Sequence, residues 1–402
     1  MSTRPRLLVL NQYYWPGVEA TAYLLSDLCS ELADEFDITV VTGLLHDQES
    51  EPGRTERNGV EIVRVRSTAF ERRKLSRRAI NYITYLAQSL RVALSEQRPD
   101  VVLCMTDPPI IANVALVVAR RFRAPLVVIS QDVFPEIAVE LGRLTNPAIV
   151  ALLRGLIAAY LRRADRVVAI GETMRRRLEQ KGAPPDRVSV IPNWVDTRLL
   201  TPQPQDNAWS QSQGLAGRFV VMHSGNIGHA QNLDALVRAC TFLRDLDDLD
   251  LTIIGGGARR AELIDLATLL EIDRVSFLPY QDREQLSESL SAASVHVVGL
   301  ARGLSGYVVP SRFYGILSVG RPVIVAAEEE SETAKVVREV GCGLVVPPGR
   351  PELLAQAIRE MHDGVHDLEE MGRRGRAFVV EHSDRLVAVE RYRLLLHELI
   401  GS

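Results

Sequence analysis

The sequence predicts an α/β protein built on parallel sheets, and three observations carry that prediction. Short apolar strands alternate with helix-length amphipathic stretches in a repeated strand-loop-helix order, the pattern of right-handed crossovers. Several strands are apolar on both faces, as in Val101-Val102-Leu103-Cys104 and Val323-Ile324-Val325-Ala326, which suits a sheet covered by helices on each side. The order runs in two series separated by a Gln-, Pro- and Ser-rich stretch at 201–217, and 402 residues are enough for two domains with separate cores. The expected division is therefore 1–200, a linker at 201–217, and 218–384, followed by a closing helix within 385–402.

The first series opens with the strand Leu7-Leu8-Val9-Leu10, a loop through Glu19 and a helix from about Ala20 to Ala33. Gly17 in that loop permits close backbone approach to a ligand at the strand's C-terminal edge, where open α/β sheets bind. No G-x-G-x-x-G is present, so the fingerprint of a nicotinamide dinucleotide is absent. Ile38–Thr42 is the next strand, and Val60–Val65 alternates as an edge strand does. The basic run at 71–78 precedes a helix, Ala79–Leu94. It reads either as a solvated helix start or as a contact with anionic lipid headgroups.

Leu126–Ile129 runs into Ser130-Gln131-Asp132, which sets a carboxylate just past a strand end. Asp132 either orients a ligand hydroxyl and accepts its proton, or caps the helix Ile137–Leu141. The helix Ile149–Leu161 is apolar around most of its circumference and flanked by arginines. Packing inside the domain is the favoured reading, with a place in a membrane interface as the alternative.

The second series begins at Phe219-Val220-Val221-Met222. Glycines follow strand ends at Gly225, Gly255 and Gly299, so several loops on one sheet edge admit backbone contact with a ligand. The stretch Val309–Ala326 reads as loop, short helix, Gly stop and buried strand. Ser311 is the expected N-cap, and Gly320-Arg321-Pro322 ends the helix. A helix N-terminus beside Arg312 offers aligned amides and a cationic fork to an anion. An ordinary capped αβ unit with a surface arginine is the competing reading.

Composition narrows the function classes. A net charge of −4 argues against nucleic acid as a bulk electrostatic partner. The four cysteines, Cys29, Cys104, Cys240 and Cys342, are far apart with no C-x-x-C pair, which points to buried reduced thiols. No leader-like apolar stretch and no membrane-length apolar run occur, so a cytoplasmic protein is expected, with peripheral membrane contact through 71–78 as an added expectation.

Pro192-Asn193-Trp194-Val195-Asp196, Gly225-Asn226, Pro310-Ser311-Arg312 and Gly320-Arg321-Pro322-Val323, in this order and spacing, are similar to the GT-B glycosyltransferases of the glycosyltransferase 4 family. Gln131–Glu136 and Ser331-Glu332 narrow the resemblance to the WbuB-like branch, which includes fucosamine and other polysaccharide-assembly transferases. The chain departs from the wider family at marked positions. Tyr307 and Gly315 stand where a Glu-x7-Glu pair is usual, Asn226 and Gln231 where an arginine and a lysine are usual, and Gln131 where a histidine is usual.

The resemblance implies two Rossmann-like domains facing across a cleft, the first on the acceptor side with the final helix packing back on it, the second binding a nucleotide-sugar. It implies a retaining transfer from a nucleotide-sugar, UDP-linked and of N-acetylhexosamine type, to a saccharide or lipid-linked acceptor of cell-surface polysaccharide synthesis. No cofactor and no metal are expected, since protein donors neutralise the diphosphate. Arg312 and Asp132 are the expected catalytic residues. Gly17, Gly225, Asn226, Gln231, Gly255, Tyr280, Ser311, Arg312 and Glu332 are the expected donor contacts, with Glu332 reaching the ribose and Tyr280 either flanking the base or simply packing. Two other classes stay open: a nucleotide-sugar 2-epimerase, and a catalytically silent GT-B subunit that partners another transferase.

Overall fold

The computed structural model of the chain describes residues 4–17, 19–44, 51–66 and 75–401, with side chains in the helix that starts at Leu75 described from residue 81 onward. Two units emerge: Met1–Pro192 with Ala388–Ser402, and Asn193–Val387.

The first unit is organised on a sheet of β1 (Arg6–Leu10), β2 (Asp37–Thr42), β3 (Gly53–Arg57), β4 (Val60–Arg64), β5 (Val101–Met105), β6 (Leu126–Ser130), β7 (Arg166–Ala169) and β8 (Val188–Val190). Their spatial order is β3-β4-β2-β1-β5-β6-β7-β8, and every pairing is parallel except β3 with β4. β5 and β6 are buried at every residue, as their two-sided apolar sequences require. Each Val, Leu or Ile so buried contributes about 1.5–3 kcal/mol.

β3 is the element that hydropathy does not reveal. Gly53-Arg54-Thr55-Glu56-Arg57 is exposed throughout, because an edge strand packing no core needs only backbone pairing to β4. Val60–Val65, expected as an edge strand, is therefore second from the edge. The basic run 71–78, read either as a solvated helix start or as a membrane contact, lies outside the residues whose side chains are described.

The second unit holds β9 (Phe219–Ser224), β10 (Leu249–Ile254), β11 (Val275–Leu278), β12 (Val295–Gly299), β13 (Val323–Ala326) and β14 (Gly343–Val346), all parallel, in the order β11-β10-β9-β12-β13-β14. Val221, Leu251, Ile253, Val297 and Ile324 form its core with Leu236, Leu263 and Ile358 from covering helices.

The stretch 201–217, expected as a linker, belongs to this unit and is built into it. Asn207 caps the helix Ala208–Ser212 by accepting from the Ser210 amide at 2.9 Å. Trp209 is buried with Leu215, Val220 and Met222, and its indole N–H donates to Gln281 Oε1 at 2.8 Å. The polar composition of the stretch concealed one aromatic anchor.

The closing helix Arg385–Gly401 begins beside residues of the second unit, where Arg385 pairs with Asp196 at 3.3 Å. From Ala388 it belongs to the first unit. There Glu35 forms an ion pair with Arg393 at 2.7 Å and accepts from His397 at 2.9 Å, and Phe36 packs on the His397 ring. Among the described residues no helix is long and apolar enough to cross a membrane.

Candidate active site

In the second sheet β9 and β12 are neighbours whose connections diverge, β9 toward β10 and β12 toward β13. Such a reversal opens a crevice at the C-terminal strand ends, the usual ligand position in open α/β sheets. The loops leaving β9 and β12 meet there, with the Ala301 amide donating to the Ala230 carbonyl at 2.7 Å.

Arg312 occupies this edge. Its Nη1 lies 2.8 Å from His223 Nε2, at the end of β9, and 3.5 Å from the Asn226 carbonyl. His223 is fully buried, and its Nδ1 is 3.2 Å from the Val297 carbonyl. A carbonyl only accepts, so Nδ1 carries the proton and Nε2 accepts from the guanidinium. Desolvation, reinforced by the Arg312 charge, pushes the imidazole down to about 3, which keeps it neutral and able to accept. Desolvation also pulls the Arg312 guanidinium down to about 10, still charged at neutral pH. Among the described residues no carboxylate pairs with Arg312. The result is a cation gripped by a neutral acceptor, with its charge left for a ligand.

Gly225 makes the grip possible. It sits at φ +135°, and a Cβ there would come 3.1 Å from Arg312 Cζ and 3.2 Å from Nε and Nη1. Gly255, at φ +134°, passes so close to the Gly225 carbonyl that a Cβ would lie 1.9 Å from it. The amides of both are committed, Gly225 to the Ile254 carbonyl at 2.8 Å and Gly255 to the Leu278 carbonyl at 2.9 Å. These two glycines therefore serve loop-on-loop and side-chain packing, with their N–H groups spent inside the protein. Asn226 is exposed, while Gln231 turns its Oε1 inward to accept from the Gly228 amide at 3.0 Å, leaving its NH2 as a donor. Tyr280 is 60% exposed, its hydroxyl donates to the Gly256 carbonyl at 3.2 Å, and its ring borders Gly255 and Gly256. It is a platform at the crevice rim and not a core residue.

Ser311 departs from its expected role. Its backbone is already helical (φ −61°, ψ −27°), and its side chain makes no capping bond to the seven-residue helix Arg312–Ser318. The first-turn amides of Phe313 and Tyr314 donate to the Pro310 and Ser311 carbonyls, at 3.2 and 3.3 Å, so the backbone caps itself. Arg312 thus carries the anion-binding potential that the sequence had divided between side chain and helix end. Glu332 starts the helix Glu332–Val340, where Ser331 accepts from the Ala334 amide at 3.3 Å. The Glu332 charge helps raise the buried Tyr314 hydroxyl, whose main perturbation is desolvation. No described contact joins Glu332 to Arg312.

Two further residues of this edge escaped sequence reasoning. His223 could have been found from its place at a strand end two residues before a glycine. Glu328 holds the loop after β12, accepting from the Gly303 amide at 3.1 Å and the Ser305 hydroxyl at 2.9 Å. The position of the family's second glutamate, Gly315, faces Leu200 and Leu290, so a carboxylate there would meet apolar carbon.

The first unit has its own reversal at β1 and β5, where the Gln12 amide donates to the Asp107 carbonyl at 2.9 Å. Gly17 does not offer its amide outward as expected, since that N–H donates to the Tyr14 carbonyl at 2.9 Å in a tight turn. Asp132 follows β6 and is exposed. The helix Glu136–Glu140 has Pro135 at its N-cap and no side-chain cap, so Asp132 is not spent on capping. Its own carbonyl accepts from Ser130 Oγ at 3.1 Å. Desolvation first and the Asp107 charge second push its carboxyl up to about 7, a shift that contact with water partly screens. Gln131, in the usual histidine position, is buried, and its amide donates to Thr106 Oγ1 at 3.1 Å.

Two α/β units on largely parallel sheets, each with a reversal of strand order, have the architecture of a GT-B fold. Residues 20–194 match the glycosyl transferase 4-like domain model and residues 205–378 match the glycosyl transferases group 1 model. The chain belongs to this glycosyltransferase family of GT-B enzymes and is a transferase. It is 25% identical over 98% of each chain to a probable glycosyltransferase WbjE of Pseudomonas aeruginosa. A putative colanic acid biosynthesis glycosyl transferase WcaI of Escherichia coli K12 is 28% identical over 50% of each chain. In structure, HepE of Anabaena, solved with UDP and glucose, superposes with a TM-score of 0.76 and 17% identity over 98% of this chain and all (100%) of that one, a likeness of fold.

Proposed function

We propose that the protein transfers a sugar from a nucleotide-sugar, UDP-linked and of N-acetylhexosamine type, to a saccharide or lipid-linked acceptor in cell-surface polysaccharide assembly, as a member of the WbuB-like branch. The carrying observation is Arg312: a charged, partly desolvated guanidinium with a neutral buried partner and no described carboxylate. Such a group costs free energy until an anion arrives, and a diphosphate fits its fork. The UDP seen with HepE and the colanic acid biosynthesis in the name of WcaI support the donor and the pathway class.

In this reading the bond between the anomeric carbon and the diphosphate oxygen breaks through an oxocarbenium-like transition state. Negative charge grows on the leaving diphosphate, where Arg312, the Asn226 carboxamide and the Gln231 NH2 stabilise it. A new bond forms from the acceptor oxygen to the same face of the anomeric carbon, giving retention. The acceptor's proton passes to the departing phosphate or to Asp132, which orients that hydroxyl. Tyr280 borders the base and Glu332 serves the ribose. Protein donors carry the charge without a metal.

Binding and turnover test the proposal together. UDP should bind by calorimetry, UDP-N-acetylhexosamine should be consumed only with acceptor extract, and Arg312→Ala should impair both. The apolar setting of Gly315 favours a second reading, a silent GT-B subunit. UDP binding without transfer to any acceptor would select it. Free UDP or an epimer formed from UDP-GlcNAc alone would select the epimerase.

A further inference from the structure

Three neighbouring parallel strands of the first sheet, β4, β2 and β1, end side by side, and their ends are tied together. Arg64 stands in register with Thr42, the Val65 amide donates to the Thr42 carbonyl at 2.9 Å, and Thr42 Oγ1 donates to the Gln12 carbonyl at 2.9 Å. On this edge three buried side chains each keep a polar atom without a hydrogen-bond partner. Asn11 donates its Nδ2 to the Tyr13 carbonyl at 2.7 Å, so its unpartnered atom is the acceptor Oδ1. Gln12 leaves its Oε1 unpartnered. Arg64, only 8% exposed, spends Nη2 on the Trp15 carbonyl and leaves Nη1 unpartnered. Among the described residues no carboxylate pairs with Arg64, and desolvation holds its pKa below the usual arginine value. Trp15 itself is 37% exposed, with Arg57 over its ring, Cζ 3.8 Å from the ring centre. Buried polar groups are almost always paired, so three unpaired ones on one strand edge call for a ligand.

We propose that this edge is a subsite for an acidic saccharide, whose carboxylate or phosphate takes Arg64 and whose hydroxyls donate to Asn11 and Gln12. The mixture of atoms selects that chemistry. A simple anion is repelled by two amide oxygens, and a neutral sugar leaves the guanidinium unpaired. Because Nη1 is shielded, the acid enters by displacing the Trp15 carbonyl from Arg64, a neutral acceptor giving way to a charged one. The indole then offers the aromatic surface on which the C–H face of a pyranose packs. The edge adjoins the reversal at β1 and β5, where open α/β sheets bind ligands. The inference rests on the transferase reading, in which the first unit takes the acceptor, and narrows that acceptor to a sugar bearing an acid.

The test is a ligand-observed NMR titration of the full chain with glucuronic acid, glucose 6-phosphate and glucose, UDP being present in excess. At least one of the two acids should bind about tenfold tighter than glucose, the worth of one charge-assisted bond. Arg64→Met should abolish that preference and Arg64→Lys should keep part of it. Tighter binding of glucuronic acid identifies a carboxylate, and tighter binding of glucose 6-phosphate a phosphate. Equal binding of all three, or binding of none, overturns the inference. Melting temperature separates a ligand's arginine from a structural one. A buried guanidinium kept for a ligand costs stability, so Arg64→Met should melt at or above the parent temperature. A clearly lower melting temperature makes Arg64 a strut for the Trp15 loop and overturns the inference. UDP binding is read in the same samples: its absence from the parent sinks the donor reading, whereas a missing preference for acids sinks only this subsite.

Discussion

Arg312 Nη1 and His223 Nε2 are 2.8 Å apart, and the histidine that accepts this bond is fully buried and tied on its far side to the Val297 carbonyl. A neutral imidazole that orients a cation without cancelling its charge is a positioning device. His223→Phe should keep the shape but lose the acceptor, freeing the guanidinium. UDP affinity by calorimetry should fall about tenfold, the worth of one charge-assisted bond. His223→Gln, which keeps an acceptor, should recover much of that loss. Equal affinity in the parent and His223→Phe would remove the histidine from the site.

Arg312 itself is the larger lever. Losing one charge-assisted bond is worth about 1.5–3 kcal/mol, so Arg312→Ala should lower kcat/KM at least tenfold. Arg312→Lys should fall in between, since an ammonium keeps the charge and loses the fork. Steady-state kinetics with the donor varied read this directly; unchanged kcat/KM in the alanine variant refutes the role.

Gly225→Ala tests the same contact from the other side. The added methyl would sit 3.1 Å from Arg312 Cζ on a backbone at φ +135°, a conformation that L side chains rarely adopt. A loss of stability of about 1–3 kcal/mol is expected, together with weaker UDP binding. A variant with parental melting temperature and affinity would show that the loop tolerates displacement of the guanidinium.

The buried histidines set a pH dependence of stability. Folding holds His223 down to about 3 and His296 down to about 4, against 6.5 for the unfolded chain, desolvation being the main cause in each. Between pH 6.5 and about 4 the unfolded state binds more protons, so stability is fully present above 6.5 and declines as pH falls. Calorimetric melting at about pH 7.5 and about pH 5 should show the second unit losing stability, and His296→Gln should flatten the slope.

Asp132 predicts a pH profile of activity. With its carboxyl pushed up to about 7, a reaction that needs the carboxylate should gain kcat/KM as pH rises through neutrality. Asp132→Asn should remove that limb and impair acceptor use more than donor binding. Matching losses of UDP affinity and acceptor use would place this residue on the donor instead.

Much of the fold was legible because each strand of a covered parallel sheet must be apolar on both faces. Val101–Cys104 and Val323–Ala326 lie in strands where their two-sided apolar runs indicate. What escaped lacked a hydrophobic signature. β3 is fully polar, and the 201–217 stretch conceals Trp209 among glutamine, proline and serine. At the site, sequence order brought Arg312 and Gly225 into view as separate candidates, whereas the partnership with His223 did not show. Residues 223 and 312 lie on different strand connections, and adjacency of such loops follows from strand order, which local pattern does not encode.

By itself the sequence determined two αβ series, a family of sugar-transferring enzymes and an arginine at a strand-end loop, since periodicity and motif spacing are local properties. Only the tertiary structure decided how that arginine is held, why Gly225 and Gly255 lack side chains, and that Ser311 does not cap. Those outcomes depend on which distant loops and helices the packed sheets bring together.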